Sequence, residues 1–128
     1  MRLLLDTHVV IALCRDELGR RFPEALKLLA AADTEARVSA ASLWEISIKT
    51  RLGKLDTEIP LDRLPDLLEA FGLAILEITS RHALAFVAPE PTTRDPFDRM
   101  LLVQCRVEGL RLVTVDRALA AHPLSWRA

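Results

Sequence analysis

Asp6 in LLLDTH, Glu45 in SLWEIS, Asp98 in RDPFDRM and Asp116 in LVTVDRA each stand where an apolar run gives way to a helix-like pattern. In an alternating α/β chain such positions gather beyond the carboxyl ends of the strands, where open parallel sheets bind their ligands. Carboxylates gathered there repel one another unless a divalent cation sits among them. Magnesium takes hard oxygen ligands and keeps several waters. An ion held this way binds a phosphate, acidifies a bound water and steadies a leaving oxygen. The chemistry these residues point to is therefore phosphodiester cleavage by a metal-activated water. It needs no nucleophilic side chain, which suits a chain whose histidines and cysteines form no cluster. His8, His82 and His122 read as surface or packed residues, and Cys14 and Cys105, in apolar helical patterns, as structural thiols.

Each acid has a plainer reading beside the chemical one. A carboxylate in the first turn of a helix is stabilised by the helix dipole, by roughly 0.3–1 kcal/mol. Ser42 and Glu45 have the spacing of a capping box, and Asp98 faces a helix start that Asp95 can cap. A parallel fold brings all such helix starts to one edge, so convergence alone does not decide. Asp6 is harder to explain away, because it ends a strand expected to be central and buried. An unpaired carboxylate there is costly, and a metal would remove the cost.

The elements that must position these acids can be read from the pattern. Arg2 to Leu5 is a short apolar run that suits a buried strand, followed by a helix over Thr7 to Cys14. Pro23 opens a second helix, and Ala36 to Ala40 reads as a second strand. Ser42 caps a helix that runs to Arg51 and stops at Gly53, with Lys49 one turn after Glu45 as its i,i+4 partner. Pro60 to Phe71 is amphipathic but interrupted by Pro65; Leu73 to Ile78 is a third strand; Thr79 or Ser80 caps a helix through Val87. Asp95, Pro96 and Asp98 take the N-cap, first and third positions of a helix that Gly109 ends. Leu110 to Val115 is a fourth strand, DRALAAH a last helix, and Leu124 to Arg127 a possible edge strand. The expected fold is α/β: one domain over 1–128, with a parallel sheet of four to five strands flanked by helices on both faces.

Composition sets the outer limits. A chain of 128 residues buries roughly two-thirds of its unfolded surface, enough for its own core. Its hydrophobic fraction is 51% with 5% aromatics and no Tyr, so aliphatic surplus suggests a second copy, a homodimer. A net charge of −1 gives no global attraction for a polyanion, so an RNA surface must come from segregated charge. Lys49, Arg51 and Lys54, and Arg94 and Arg99 beside the DPFD motif, are the candidate phosphate contacts. Trp44 and Trp126 read as core or interface residues. With neither a signal-peptide pattern nor a membrane span, the cytoplasm is the expected location.

Taken together and in order, LLLDTHVVIAL, VSAASLWEISIKTRLGKL, RDPFDRMLLVQC and LVTVDRAL resemble the PIN-domain ribonucleases, above all the VapC-type toxins of bacterial toxin–antitoxin modules. The resemblance implies metal-binding acids at Asp6, Glu45, Asp98 and Asp116, with Asp95 and Thr7 as accessories. It implies an endoribonuclease that uses Mg2+, or Mn2+ in its place. It also implies a cognate antitoxin whose helical segment covers an apolar groove near the active cleft. Val115 stands where the family often has a basic or polar residue. The rival of another class is a PIN-like protein-binding module without catalysis. A dehalogenase-like phosphatase is set aside, since His8 occupies the place of its required second Asp.

Overall fold

Leu3, Leu4 and Leu5 have no exposed surface, as befits a strand covered on both faces. In the computed structural model, which describes residues 1–126, they belong to β1 (Arg2–Leu5). This strand lies inside a four-stranded parallel sheet of order β3-β2-β1-β4. Its partners are β2 (Glu35–Ser39) and β4 (Arg111–Val113), and β3 (Ala74–Leu76) pairs with the far side of β2. Leu5 pairs with both Val38 and Val113, so the carboxyl ends of the three strands finish level.

Strand side chains alternate between the two faces. Leu3, Leu5, Val38 and Val113 pack in one cluster with α1 (Thr7–Cys14), α2 (Leu18–Arg21), α3 (Pro23–Ala30), Ile46 of α4 (Ala40–Arg51) and α5 (Leu64–Ala70). Leu4, Leu76 and Leu112 face the opposite cluster, built by α7 (Pro96–Glu108) and α8 (Arg117–Ala120), while α6 (Ser80–Leu84) packs on α7. Helices thus cover both faces, as the alternating pattern predicts. Cys14 and Cys105 are both free. Burial pushes their thiols up to about 11 and about 12, which keeps them protonated and inert.

Several local expectations are corrected. Ser39, not Ser42, caps α4: its hydroxyl accepts from Ala41 N at 3.0 Å. The two alanines that follow β2 are strong helix formers and start the helix early. Glu45 therefore lies beyond the first turn and completes no capping box. Pro65 does not interrupt a helix but occupies the first turn of α5, after a short 3-10 turn at Leu61–Arg63. The third and fourth strands are shorter than their apolar runs, and Thr114 and Val115 separate β4 from Asp116. The helix α6, capped by Thr79, stops at Leu84 rather than Val87. The helix α2 carries no strong sequence signal and was not expected. The proposed tail strand reduces to a single bridge, Leu112 with Ser125, and Arg127 lies outside the described residues.

Gly109 ends α7 in the left-handed region, φ 68°. A Cβ there would meet Arg2 Nη1 at 3.4 Å, an ordinary contact, so the strain is backbone strain alone. Gly109→Ala is expected to lower stability by about 1 kcal/mol, read as a fall of a few degrees in melting temperature with unchanged circular dichroism.

Candidate active site

The site is built around threonine hydroxyls placed next to acids. Asp6 is 2% exposed and caps α1, accepting from Val9 N at 3.0 Å through Oδ1. Its second oxygen, Oδ2, accepts from the hydroxyl of Thr114. That hydroxyl in turn accepts from Asp116 N at 3.1 Å. Asp116 caps α8 by accepting from Ala118 N and Leu119 N. Thr114 thus ties the first acid to the fourth.

The neighbour of Asp6 reaches in the other direction. Thr7 donates to Glu45 Oε1 at 2.8 Å, and its oxygen lies 3.0 Å from Ser42 Oγ. All three side chains are buried. The remaining oxygen of Glu45, Oε2, accepts from Lys49 Nζ at 2.8 Å. The i,i+4 pair expected from sequence is therefore real, and it compensates a nearly buried carboxylate rather than decorating a solvated face.

Asp95 and Asp98 hang on a third threonine. Thr93 Oγ1 accepts from Asp95 N at 3.1 Å and donates to Asp98 Oδ2 at 3.2 Å. Asp95 caps α7 by accepting from Phe97 N at 2.9 Å, as predicted. The carboxyl of Asp98 is pushed up to about 6. Burial is the main cause and the adjacent charge of Asp95 the next; the Thr93 hydrogen bond opposes both, and Asp116 and Glu45 raise it further. Acids of three separate motifs thus act on Asp98. Residues 3–123 match the family model of the PIN domain. The chain belongs to the PIN domain family.

PIN domains are in general nucleases and typically use a divalent metal. No protein matched in a search of curated proteins. This PIN domain brings Glu45, Asp95 and Asp116 within electrostatic reach of Asp98. Asp6 joins them through Thr114 and through its chain neighbour Thr7. Among the described residues, however, no group of three or more His, Cys, Asp or Glu side chains closes into a metal-binding cluster. The two observations differ because charge acts over longer distances than coordination does. We take the acids to be neighbours on one rim, not a closed ligand shell. In kind, the donors fit a hard cation: carboxylate and hydroxyl oxygens, with the Asp98 carboxyl raised by burial and by the like charges beside it. Magnesium keeps several waters and does not need every acid as a direct ligand.

The reading from sequence missed Thr93, Thr114 and Ser42. A signal was present for the first two, since Thr93-Arg94-Asp95 and Thr114-Val115-Asp116 repeat one spacing. A hydroxyl two residues before an acid accepts from that acid's backbone N–H and leaves its own proton for a second acid. Among the candidate phosphate contacts, Arg99 pairs with Glu90 and Lys49 with Glu45. Arg51, Lys54 and Arg94 are exposed and form no ion pair among the described residues. His8 is exposed, whereas His82 and His122 are buried and hydrogen-bonded, the former to Glu108 and the latter to the Pro89 carbonyl. Trp126 packs partly buried against the core, but Trp44 is 61% exposed, so the core reading fails for it.

A cleft of about 540 Å³, mainly apolar, is lined by Leu18, Leu26, Leu29, Phe71 and Leu73 among others. It lies by the amino ends of β2 and β3, whereas the acids lie beyond the carboxyl ends. No helix among the described residues is long and apolar enough to cross a membrane.

Proposed function

We propose that this chain is a magnesium-dependent endoribonuclease of the VapC toxin type, with manganese able to substitute. The observation that supports it most is the raised carboxyl of Asp98, held up by burial and by Asp95, Asp116 and Glu45. Asp6, Glu45, Asp98 and Asp116 would hold the metal, with Asp95 and Thr7 as accessories. When bound, the metal supplies phosphate binding and an acidified water.

The chain's own groups do the rest. Thr114 and Thr7 fix the carboxylates of Asp6 and Glu45, each of which keeps lone pairs free for a ligand. Lys49 offsets the charge of Glu45, which lowers repulsion toward an approaching phosphodiester. Arg51, Lys54 and Arg94 are available to hold the backbone on either side. On this reading a cognate antitoxin neutralises the toxin, and the apolar cleft beside Phe71 is the place for its helical segment. A homodimer would cover part of the remaining apolar surface, where Leu84 and Phe86 are 78% and 76% exposed. The setting would be the bacterial cytoplasm.

The purified protein is expected to cleave RNA with millimolar magnesium or manganese and to stop when EDTA is added. Expression alone should slow bacterial growth, and co-expression of a small DNA-binding protein encoded next to it should restore growth. Cleavage that persists in EDTA, or equal growth arrest by an Asp116→Asn variant, would refute the proposal.

A further inference from the structure

Trp44 and Phe97 immediately precede Glu45 and Asp98 in the chain. Their rings meet across the gap between α4 and α7, with centroids 5.7 Å apart and planes at 70°. An edge-to-face contact engages at most one face of each ring. Trp44 is 61% exposed, so its indole keeps an open surface at the rim that carries the acids. Other large apolar side chains are exposed too, Leu84 and Phe86 among them, but Trp44 is the one in ring contact with a second aromatic beside the acids. An exposed indole braced by a second aromatic, one residue from an acid on each side, offers a partner a flat apolar surface at the acidic rim.

The surroundings indicate which kind. The core of a protein–protein interface is depleted of charged residues. The neighbourhood of this pair is rich in them: Glu45 with Lys49, Asp98 with Asp95, and exposed Arg94 three residues before Phe97. Aromatic rings set among backbone-binding charges are how proteins hold unpaired nucleotides, the base on the ring and the phosphate on the charges. A base in a duplex offers no free face to a side chain at a cleft rim.

Resting on the nuclease reading above, we propose that Trp44, braced by Phe97, stacks on an unpaired base of the RNA next to the scissile phosphate at the acidic site. Trp44 then positions the substrate and favours single-stranded segments. The stacking is tolerant of base identity, because every base has a π-face.

The test separates stacking from cleavage. In an Asp98→Asn background with magnesium, tryptophan emission is followed while an unstructured RNA of roughly ten nucleotides is added. Emission should be quenched; the same RNA in a duplex, or with abasic sites throughout, should leave it unchanged. The quenching should vanish in Trp44→Phe. With Asp98 restored, Trp44→Ala should cut kcat/KM by about tenfold or more, at unchanged melting temperature, and Trp44→Phe should recover most of it. Quenching by RNA in a protein that never cleaves would keep the stacking and overturn the nuclease reading. Emission unmoved by single-stranded RNA, whether or not the parent cleaves, would overturn the stacking and leave the pair as a protein-facing surface.

Discussion

Asp98→Asn is expected to reduce RNA cleavage by roughly a hundredfold or more, since a metal's contribution to such chemistry is several kcal/mol. The metal-free variant should nevertheless melt at or above the parent at neutral pH. The carboxyl of Asp98 is raised to about 6 from an ordinary 3.8, so the folded state favours its protonated form. That contribution is fully present below the unfolded value and is lost as pH rises through about 6. At pH 7 the parent therefore carries an unfavourable charge that the amide lacks. Lowering the pH from 7 toward 4 should shrink the variant's advantage. Because the group is partly exposed, solvent screens the effect and the shift in melting temperature should be small. Magnesium should raise the parent's melting temperature, as a ligand selective for the folded state does, and raise the variant's much less. Were Asp98 only a helix-end charge, losing it would cost up to about 1 kcal/mol and magnesium would matter to neither protein. Thermal melts at several pH values, with EDTA and then with magnesium, distinguish the two.

The parts of this fold legible from sequence are those governed by local rules. The leucine run of β1 and the Asp95-Pro96 start and Gly109 stop of α7 lie where burial, capping and left-handed geometry put them. The parallel sheet and the two-sided layering follow from strands alternating with helices. What stayed hidden depends on contacts between distant segments. Ser42 looked like a cap because its own spacing to Glu45 fits one, yet its hydroxyl is turned inward to Thr7, 35 residues away. Once Ser39 could cap a helix seeded by Ala40 and Ala41, Ser42 was free for that role. Thr114 reaches Asp6 across 108 residues, a pairing no local window contains. The exposure of Trp44 was hidden for a related reason. Glu45 and Ile46 turn inward, at 6% and 0% exposure, and Trp44, about 100° round the helix before them, is left on the outer side of α4.

Asp6 separates the structural from the chemical role of an acid most sharply, because this carboxylate serves both. Asp6→Ala removes the cap that receives Val9 N and the acceptor that holds the Thr114 hydroxyl. Losing an N-cap costs roughly 0.5–2 kcal/mol, and buried groups left without partners add about 1–3 kcal/mol. A total loss of about 2–4 kcal/mol is expected, read as a fall in the denaturation midpoint at constant slope. Asp6→Asn should be far milder, since asparagine caps a helix about as well as aspartate. Its amide carbonyl can still receive Val9 N. Its NH2 would face the Thr114 oxygen, which can accept a second hydrogen bond while its proton turns elsewhere. The two variants should then diverge in stability while both lose cleavage, because neither presents a charged oxygen to a metal. Equal destabilisation by alanine and asparagine would show that the charge itself is needed for the fold. Retained cleavage by the asparagine variant would remove Asp6 from the metal site and leave it as a cap.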